Sequence, residues 1–337
     1  MKDNISVVIT SISSPNKVMN KLADGCRENG YTFIVIGDES SPCGFHLEGC
    51  EYFSIKDQIN TGLKLAEMCP VRHYARKNIG YLIAIKNGAE IIIETDDDNM
   101  PYDTFWRKPK RIFVEKTVEN TGWINIYRYF SDANIWPRGL PLEKINTEIA
   151  AFESLRTRQM DCLIQQGLSD ENPDVDSIYR LIMPLPQYFR KDRRVVLAKN
   201  TWCPINSQNT TWWRDAFALL YLPSYCSFRM TDIWRGFIAQ KIAHVNGWGI
   251  LFHEPTAVQQ RNYHNLIHDF RDEISGYLNN SEICSEFERL DLVPGIDKIG
   301  ENLRLCYQKL VEKNLVHLNE MKLLDAWISS INDLLDN

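Results

Sequence analysis

The stretch ARKNIGYLIAIKNGAEIIIETDDDN, residues 75 to 99, holds a helix, a strand and a knot of charge in close succession. Ala75 to Asn87 reads as a helix, and Ala89 to Asp96 as an apolar, β-branched run of the kind that makes a buried strand. That run ends in Asp96, Asp97 and Asp98. Three adjacent carboxylates repel one another, and taking them out of water costs free energy unless a cation or hydrogen-bond donors compensate. They therefore lie on a solvated turn or hold a metal.

Working outward, the preceding residues alternate in the same way. ISVVITSI (Ile5 to Ile12) reads as a strand, Asn16 to Asn29 as a helix, YTFIVIGD (Tyr31 to Asp38) as a second strand and CEYFSI as a short third. Such βαβα order predicts a mainly parallel sheet with helices on both faces, and ligands in these sheets bind at the carboxyl ends of the strands. The strand ends worth inspecting are Thr10 to Ser14, Gly37 to Pro42 and Glu94 to Asn99.

Side chains alternate along an extended segment, which predicts that Asp96 and Asp98 share one face and Asp97 points away. Paired carboxylates at a strand end suit Mg²⁺ or Mn²⁺, which share their remaining positions with water and substrate phosphates. Arg76, Lys77 and Asn78 open the helix just upstream. Positive charge and helix N-terminal amides favour a nucleotide diphosphate, and Gly80 permits close backbone approach.

The ordered set ITSISSP, VIGDESSP, ARKNIGYLIAIKNGAEIIIETDDDN, WPRGLPLE, DVDSIYRL, PINSQNT and TDIWRGFIAQ resembles the STELLO-type glycosyltransferase-like proteins. It is more distantly similar to the reversibly glycosylated polypeptides, which act as UDP-arabinopyranose mutases. The resemblance spans roughly residues 5 to 278. It implies an α/β fold of GT-A-like, Rossmann-type character, a mainly parallel sheet flanked by helices, with an α-helical C-terminal region. Residues 1–278 would form the glycosyltransferase domain, 1–100 its nucleotide-sugar half and 101–278 its acceptor half, followed by helices in 279–337.

The resemblance also implies roles. Thr10, Ser11, Asp38, Arg76, Asn78 and Arg138 would contact the nucleotide sugar. Asp96 and Asp98 would hold Mn²⁺ or Mg²⁺, with Asp97 at the sugar or supporting the turn. Asp232 would be either a helix N-cap or an acid against the transferred sugar, serving as base in inverting members. His253 is the candidate third metal ligand, ahead of the His264 and His268 pair. The partners would be a nucleotide-sugar donor, UDP-linked, and a glycan or other hydroxyl acceptor, in polysaccharide biosynthesis. A UDP-sugar mutase using the same pocket, and a non-catalytic interaction protein keeping the fold, are the alternatives.

Net charge of −6 on a 337-residue chain argues against a nucleic-acid surface as the main business of the molecule. No signal-peptide core or bilayer-length apolar run is present, and nine scattered cysteines form no C-x-x-C pair; the expectation is a cytoplasmic protein with free thiols. Aromatics crowd between Trp202 and Trp234, where they serve a core or an acceptor groove. Beyond Gly300, Leu303, Tyr307, Leu310, Leu318, Met321, Leu324, Ile328, Ile331 and Leu335 recur at steps that predict amphipathic helices, packed on the body or on a second copy.

Overall fold

A computed structural model describes residues 4–262 and 264–335. The first hundred residues supply β1 (Ile5–Thr10), α1 (Lys17–Asn29), β2 (Thr32–Ile36), β3 (Glu51–Phe53), α2 (Ile55–Asn60), α3 (Lys64–Met68), α4 (Lys77–Lys86), β4 (Ile91–Thr95) and β5 (Asn99–Pro101). The middle of the chain gives β6 (Ile112–Val118), β7 (Gly122–Trp123), β8 (Arg156–Asp161), β9 (Ile164–Asp170), α5 (Ser177–Ile182), β10 (Arg194–Leu197), β11 (Thr201–Trp202) and β12 (Asn209–Trp213). Then come α6 (Thr231–Val245), β13 (Ile250–Gln259), α7 (Leu266–Arg289), α8 (Ile299–Glu312) and α9 (Glu320–Leu335).

One sheet dominates, in the order β3-β2-β1-β4-β12-β9-β13-β10-β6-β8, with β5 pairing β13. Strands β3, β2, β1 and β4 are all parallel. A parallel strand with both faces covered needs apolar residues on both, which is why β1 reads ISVVIT without alternation. Beyond β4 the sheet is mixed: β12 runs antiparallel to β4 and β9, β13 parallel to β9, and β10 antiparallel to β13. The α/β architecture with a helical C-terminal region is the one read from the sequence.

Local chemistry fixes the helices that matter for the site. The Asn16 side chain caps α1 by accepting from the Met19 amide at 2.9 Å, and Gly30 ends it in the left-handed region at φ 69°; an L side chain is strained there. Helix α4 is buried along every residue from Lys77 to Ile85. A helix apolar all round needs cover on both sides, and α4 obtains it from β1 and β2 beneath and α9 above.

The C-terminal stripe is therefore spent on the body. Leu303, Cys306, Tyr307 and Leu310 of α8 and Leu323, Leu324, Trp327, Ile328 and Ile331 of α9 are buried, in contact with α6, α3 and α4. Glu320 anchors the start of α9: it is fully buried and accepts from Tyr221 Oη (2.5 Å) and from the amides of Ser224 (3.0 Å) and Tyr225 (2.7 Å). Leu318 of the same pattern stays exposed. The division expected at residue 278 falls inside α7. Among the described residues, no helix is long and apolar enough to cross a membrane.

Candidate functional site

The carboxyl ends of β1, β2 and β4 open onto a cavity of about 620 Å³, with Thr10, Ser11, Asp38, Asp96 and Asp97 on one wall and Arg138, Ser207, Phe228, Asp232, Asn262 and His264 on the other. A recess of about 230 Å³ adjoins it, lined by all three aspartates together with Asp174, Gln259 and Arg261. A crevice at strand ends is where an open α/β sheet places its ligand. The N-cap of α4, Arg76, reaches the same cavity, so the positive end of that helix dipole is directed at it.

Strand β4 stops at Thr95, and the aspartates lie on a turn closed by the Asn99 amide donating to the Asp96 carbonyl at 3.3 Å. Alternation of an extended strand does not continue past Thr95. The expected opposition of Asp97 to Asp96 and Asp98 is thereby corrected: Asp96 and Asp97 face the larger cavity together, and all three face the recess. Lys77, fully buried, donates to Asp96 (2.8 Å) and to the Thr95 carbonyl (2.9 Å). Asp97 accepts from Ser11 Oγ at 2.5 Å, and Asp98 from Gln259 Nε2 at 3.2 Å.

Among the described residues Lys77 is the one cation ion-paired to any of the three carboxylates, with Arg261 in the adjoining recess. Burial of the carboxyl outweighs the pull of Lys77, with Asp98 and Asp97 adding to it, and pushes the Asp96 pKa up to about 7, although the side chain keeps 37% exposure. Burial raises Asp97 as well. Gln259 Oε1, beside Asp98, is buried without a hydrogen-bond partner. Carboxylate and amide oxygens short of positive charge are the donor set of a hard divalent cation. Among the described residues, no group of three acidic, histidine or cysteine side chains is already gathered for one, so phosphate and water oxygens would complete its shell.

Across the cavity, Arg138 is a hub rather than a free cation. Its Nε and Nη2 donate to Asp174 (2.8 and 2.9 Å), its Nη2 and Nη1 to Asp232 (2.9 and 3.1 Å), and its Nη1 also to the Arg229 carbonyl. That engages the whole guanidinium fork. The contact expected from Arg138 to the donor is corrected accordingly: Arg138 shapes the wall, and none of its nitrogens is left over for a phosphate. Asp232 additionally accepts from the Ser207 amide (3.2 Å) and Tyr74 Oη (3.3 Å). Burial alone would raise the Asp232 pKa, but the charge and hydrogen bonds of Arg138 outweigh it and hold the carboxyl well below the usual range. So saturated a carboxylate is a poor base and a good anchor.

Other expected contacts are also corrected. Arg76 donates through Nε and Nη2 to Gln58 Oε1 (2.9 and 2.6 Å) and through Nη1 to the Cys69 carbonyl (2.7 Å), so its charge faces into the protein. Asn78 brackets Leu222, accepting from its amide at 2.9 Å and donating to its carbonyl at 2.8 Å; it is not in the cavity wall. A Cβ on Gly80 would meet Val8 Cγ1 at 2.7 Å and Ile36 Cγ1 at 2.8 Å, so its smallness serves helix-on-sheet packing. Asp38 lines the cavity, but its oxygens accept from the amides of Arg72 (2.8 Å) and His73 (2.9 Å). His253 lies in a separate pocket with no residue of the aspartate cluster, and His264 is the histidine beside that cluster.

Sequence reading missed Lys77 as the partner of Asp96, and the end of β13 with the loop after it, which set Gln259, Arg261 and Asn262 beside the already named His264. The polar string QQRN at 259–262, following an apolar strand, was the available signal. It also missed the shelf of His73, Tyr74 and Phe228, whose ring centroids lie 5.0 to 5.5 Å apart at the cavity mouth. Of the aromatics from Trp202 onward, Trp202, Trp212, Trp213 and Tyr221 are core, and Phe228 is the one that lines the cavity.

Residues 229–335, from the Arg138 hub through α6 to α9, match the family described as STELLO glycosyltransferases. The chain is related to the STELLO glycosyltransferases. Over 273 residues it is 28% identical to the "Probable glycosyltransferase STELLO1" of Arabidopsis thaliana, covering 74% of this chain and 35% of that protein. Against the "Probable glycosyltransferase STELLO2" of the same plant, identity is 30% over 274 residues with the same coverage. The chain thus spans about a third of the length of these STELLO relatives. A "Crystal Structure of a Mycobacterial Protein" aligns over 83% of this chain and 75% of that one at TM-score 0.39 and 10% identity, a likeness too distant to bear on function.

Proposed function

We propose that this chain is a metal-dependent glycosyltransferase, moving a sugar from a nucleotide sugar, UDP being the expected nucleotide, to a hydroxyl of a glycan or other acceptor. The observation that carries the reading is the undercompensated carboxylate turn at the end of β4, facing a 620 Å³ cavity. That volume suits a nucleotide-sugar-sized ligand. The relatives' printed names support the reaction class.

Asp96, Asp97 and Asp98 would hold Mn²⁺ or Mg²⁺, with Gln259 Oε1 in reserve. The bound cation would supply the positive charge that a departing diphosphate needs. The chain's own residues do the positioning. Lys77 fixes one oxygen of Asp96, Ser11 fixes Asp97, and Gln259 with the Asn262 amide fixes Asp98. Tyr74 and Phe228 offer ring faces on which a base or sugar stacks. Asp232 keeps Arg138 and Ser207 in place, so the opposite wall stays rigid while the donor binds.

Calorimetry of UDP with and without Mn²⁺ tests the reading. Nucleotide binding should require the metal and should fall by about two orders of magnitude or more in Asp96→Asn with Asp98→Asn, since each removes a charged donor. Metal-independent binding of unchanged strength in that double variant would sink the assignment.

A further inference from the structure

A second cavity, of about 260 Å³, opens on the face of the sheet formed by β4, β12, β9, β13, β10 and β6, roofed by the segment Thr104 to Lys110. It shares no lining residue with the cavity at the aspartates. His253, set apart above from the aspartate cluster, belongs here.

The lining has a definite chemistry. Arg107, Lys110 and Arg194 stand beside one lining carboxylate, Glu254. Glu254 ties roof to floor: Arg107 Nη1 reaches it at 2.9 Å from the roof, and Arg194 Nη2 and Nε reach it at 2.9 and 3.1 Å from β10. Beyond it, Glu115 lies 3.9 Å from Arg194. Two guanidiniums are thus held in fixed positions by a shared acid, and the lining still carries more positive than negative charge.

The floor offers acceptors. Gln165 spends its amide hydrogens on the carbonyls of Lys110 (2.6 Å) and Cys162 (2.9 Å), and Asn209 spends its own on the Leu168 carbonyl (3.0 Å) and Thr256 Oγ1 (2.8 Å). Both amide oxygens are left without a partner among the described residues, on side chains that are 6% and 4% exposed. Thr104 Oγ1 is buried with no partner either. His253 engages the Glu254 carbonyl through Nδ1 at 2.9 Å. Phe105 and Phe113 provide apolar walls.

Amide oxygens with their own hydrogens already committed ask for O–H donors. Fixed guanidiniums ask for a carboxylate or phosphoryl group, and aromatic walls beside them suit the apolar C–H face of a sugar. We infer that this cavity is a second ligand site, independent of the proposed transferase cleft, for a monosaccharide-sized polyhydroxylated anion: a sugar phosphate or a sugar acid.

Calorimetry on the full chain with glucose 6-phosphate, glucuronate, inorganic phosphate and glucose tests this. At least one of the two anionic sugars should bind about tenfold tighter than both glucose and inorganic phosphate; which one binds tells phosphoryl from carboxylate. Arg194→Gln and Lys110→Glu should each weaken that binding about tenfold, the second lying at the rim where folding is not at stake. Asp96→Asn with Asp98→Asn should leave it unchanged, which separates this site from the cleft whatever becomes of the transferase reading. The inference is overturned if neither anionic sugar binds, if inorganic phosphate binds as tightly as the anionic sugars, if Lys110→Glu leaves affinity intact, or if the aspartate variant abolishes binding.

Discussion

Arg138→Met isolates what the buried charge hub does. Asp174 and Asp232 are 7% and 4% exposed, and both depend on the Arg138 fork. Removing one partner of a buried ion pair leaves the other charge uncompensated and costs about 3 to 5 kcal/mol. With an unfolding entropy that scales with chain length, that corresponds to a Tm lower by about 4 to 7 °C for a chain of this size.

The pH dependence gives the sharper test. In the parent protein the Asp232 pKa is depressed, so its contribution to stability is present above the unfolded-state value, about 3.9, and is lost as pH falls through the folded one. In Arg138→Met, burial acts on Asp232 with that opposing guanidinium gone and raises its pKa. The deficit should then be largest at neutral pH and shrink on acidification, as Asp232 takes up a proton. Asp232→Asn in the methionine background should recover part of the loss, and a double-mutant cycle measures the coupling. Thermal melts by circular dichroism from pH 5 to 8 read all of this. A Tm within about a degree of the parent, or a deficit indifferent both to pH and to Asp232→Asn, would refute the hub.

Two further substitutions test the corrected roles. Gly80→Ala pushes a methyl against Val8 and Ile36, and overpacking of this kind costs about 1 to 3 kcal/mol; the melt should drop while the folded fraction binds UDP as before, and a selective loss of UDP affinity at constant Tm would return Gly80 to the ligand. Asp38→Ala strips the acceptor from the Arg72 and His73 amides, worth about 0.5 to 1.5 kcal/mol for each bond at this partly solvated edge; limited proteolysis should cut faster around residues 70 to 74, and an unchanged cleavage pattern would show that the carboxylate does not hold that segment.

Much of the fold was legible because burial on both faces of a parallel strand leaves an unbroken apolar run. ISVVIT, TFIVI and IIIET each announce themselves, and Asn16 and Gly30 mark the ends of α1 by their own capping chemistry. The mixed half of the sheet was not legible, since strands such as Arg156–Asp161 and Asn209–Trp213 owe their pairing to partners far off in the chain. The aspartate turn was legible as a cluster, but its geometry was not. Alternation holds only while the backbone stays extended, and β4 stops one residue before Asp96.

By itself, the sequence determined that a carboxylate cluster would follow a central parallel strand, because both the apolar run and the acids are local properties. Only the tertiary structure decided which charges meet it. Arg76, Asn78 and Arg138 stand in the same motifs as the site residues, yet their donors are consumed by Gln58, Leu222, Asp174 and Asp232, while Lys77, between the first two, turns to Asp96. A buried donor must be satisfied by whatever packing brings within about 3 Å, and the identity of that neighbour is written in the fold rather than in the residue.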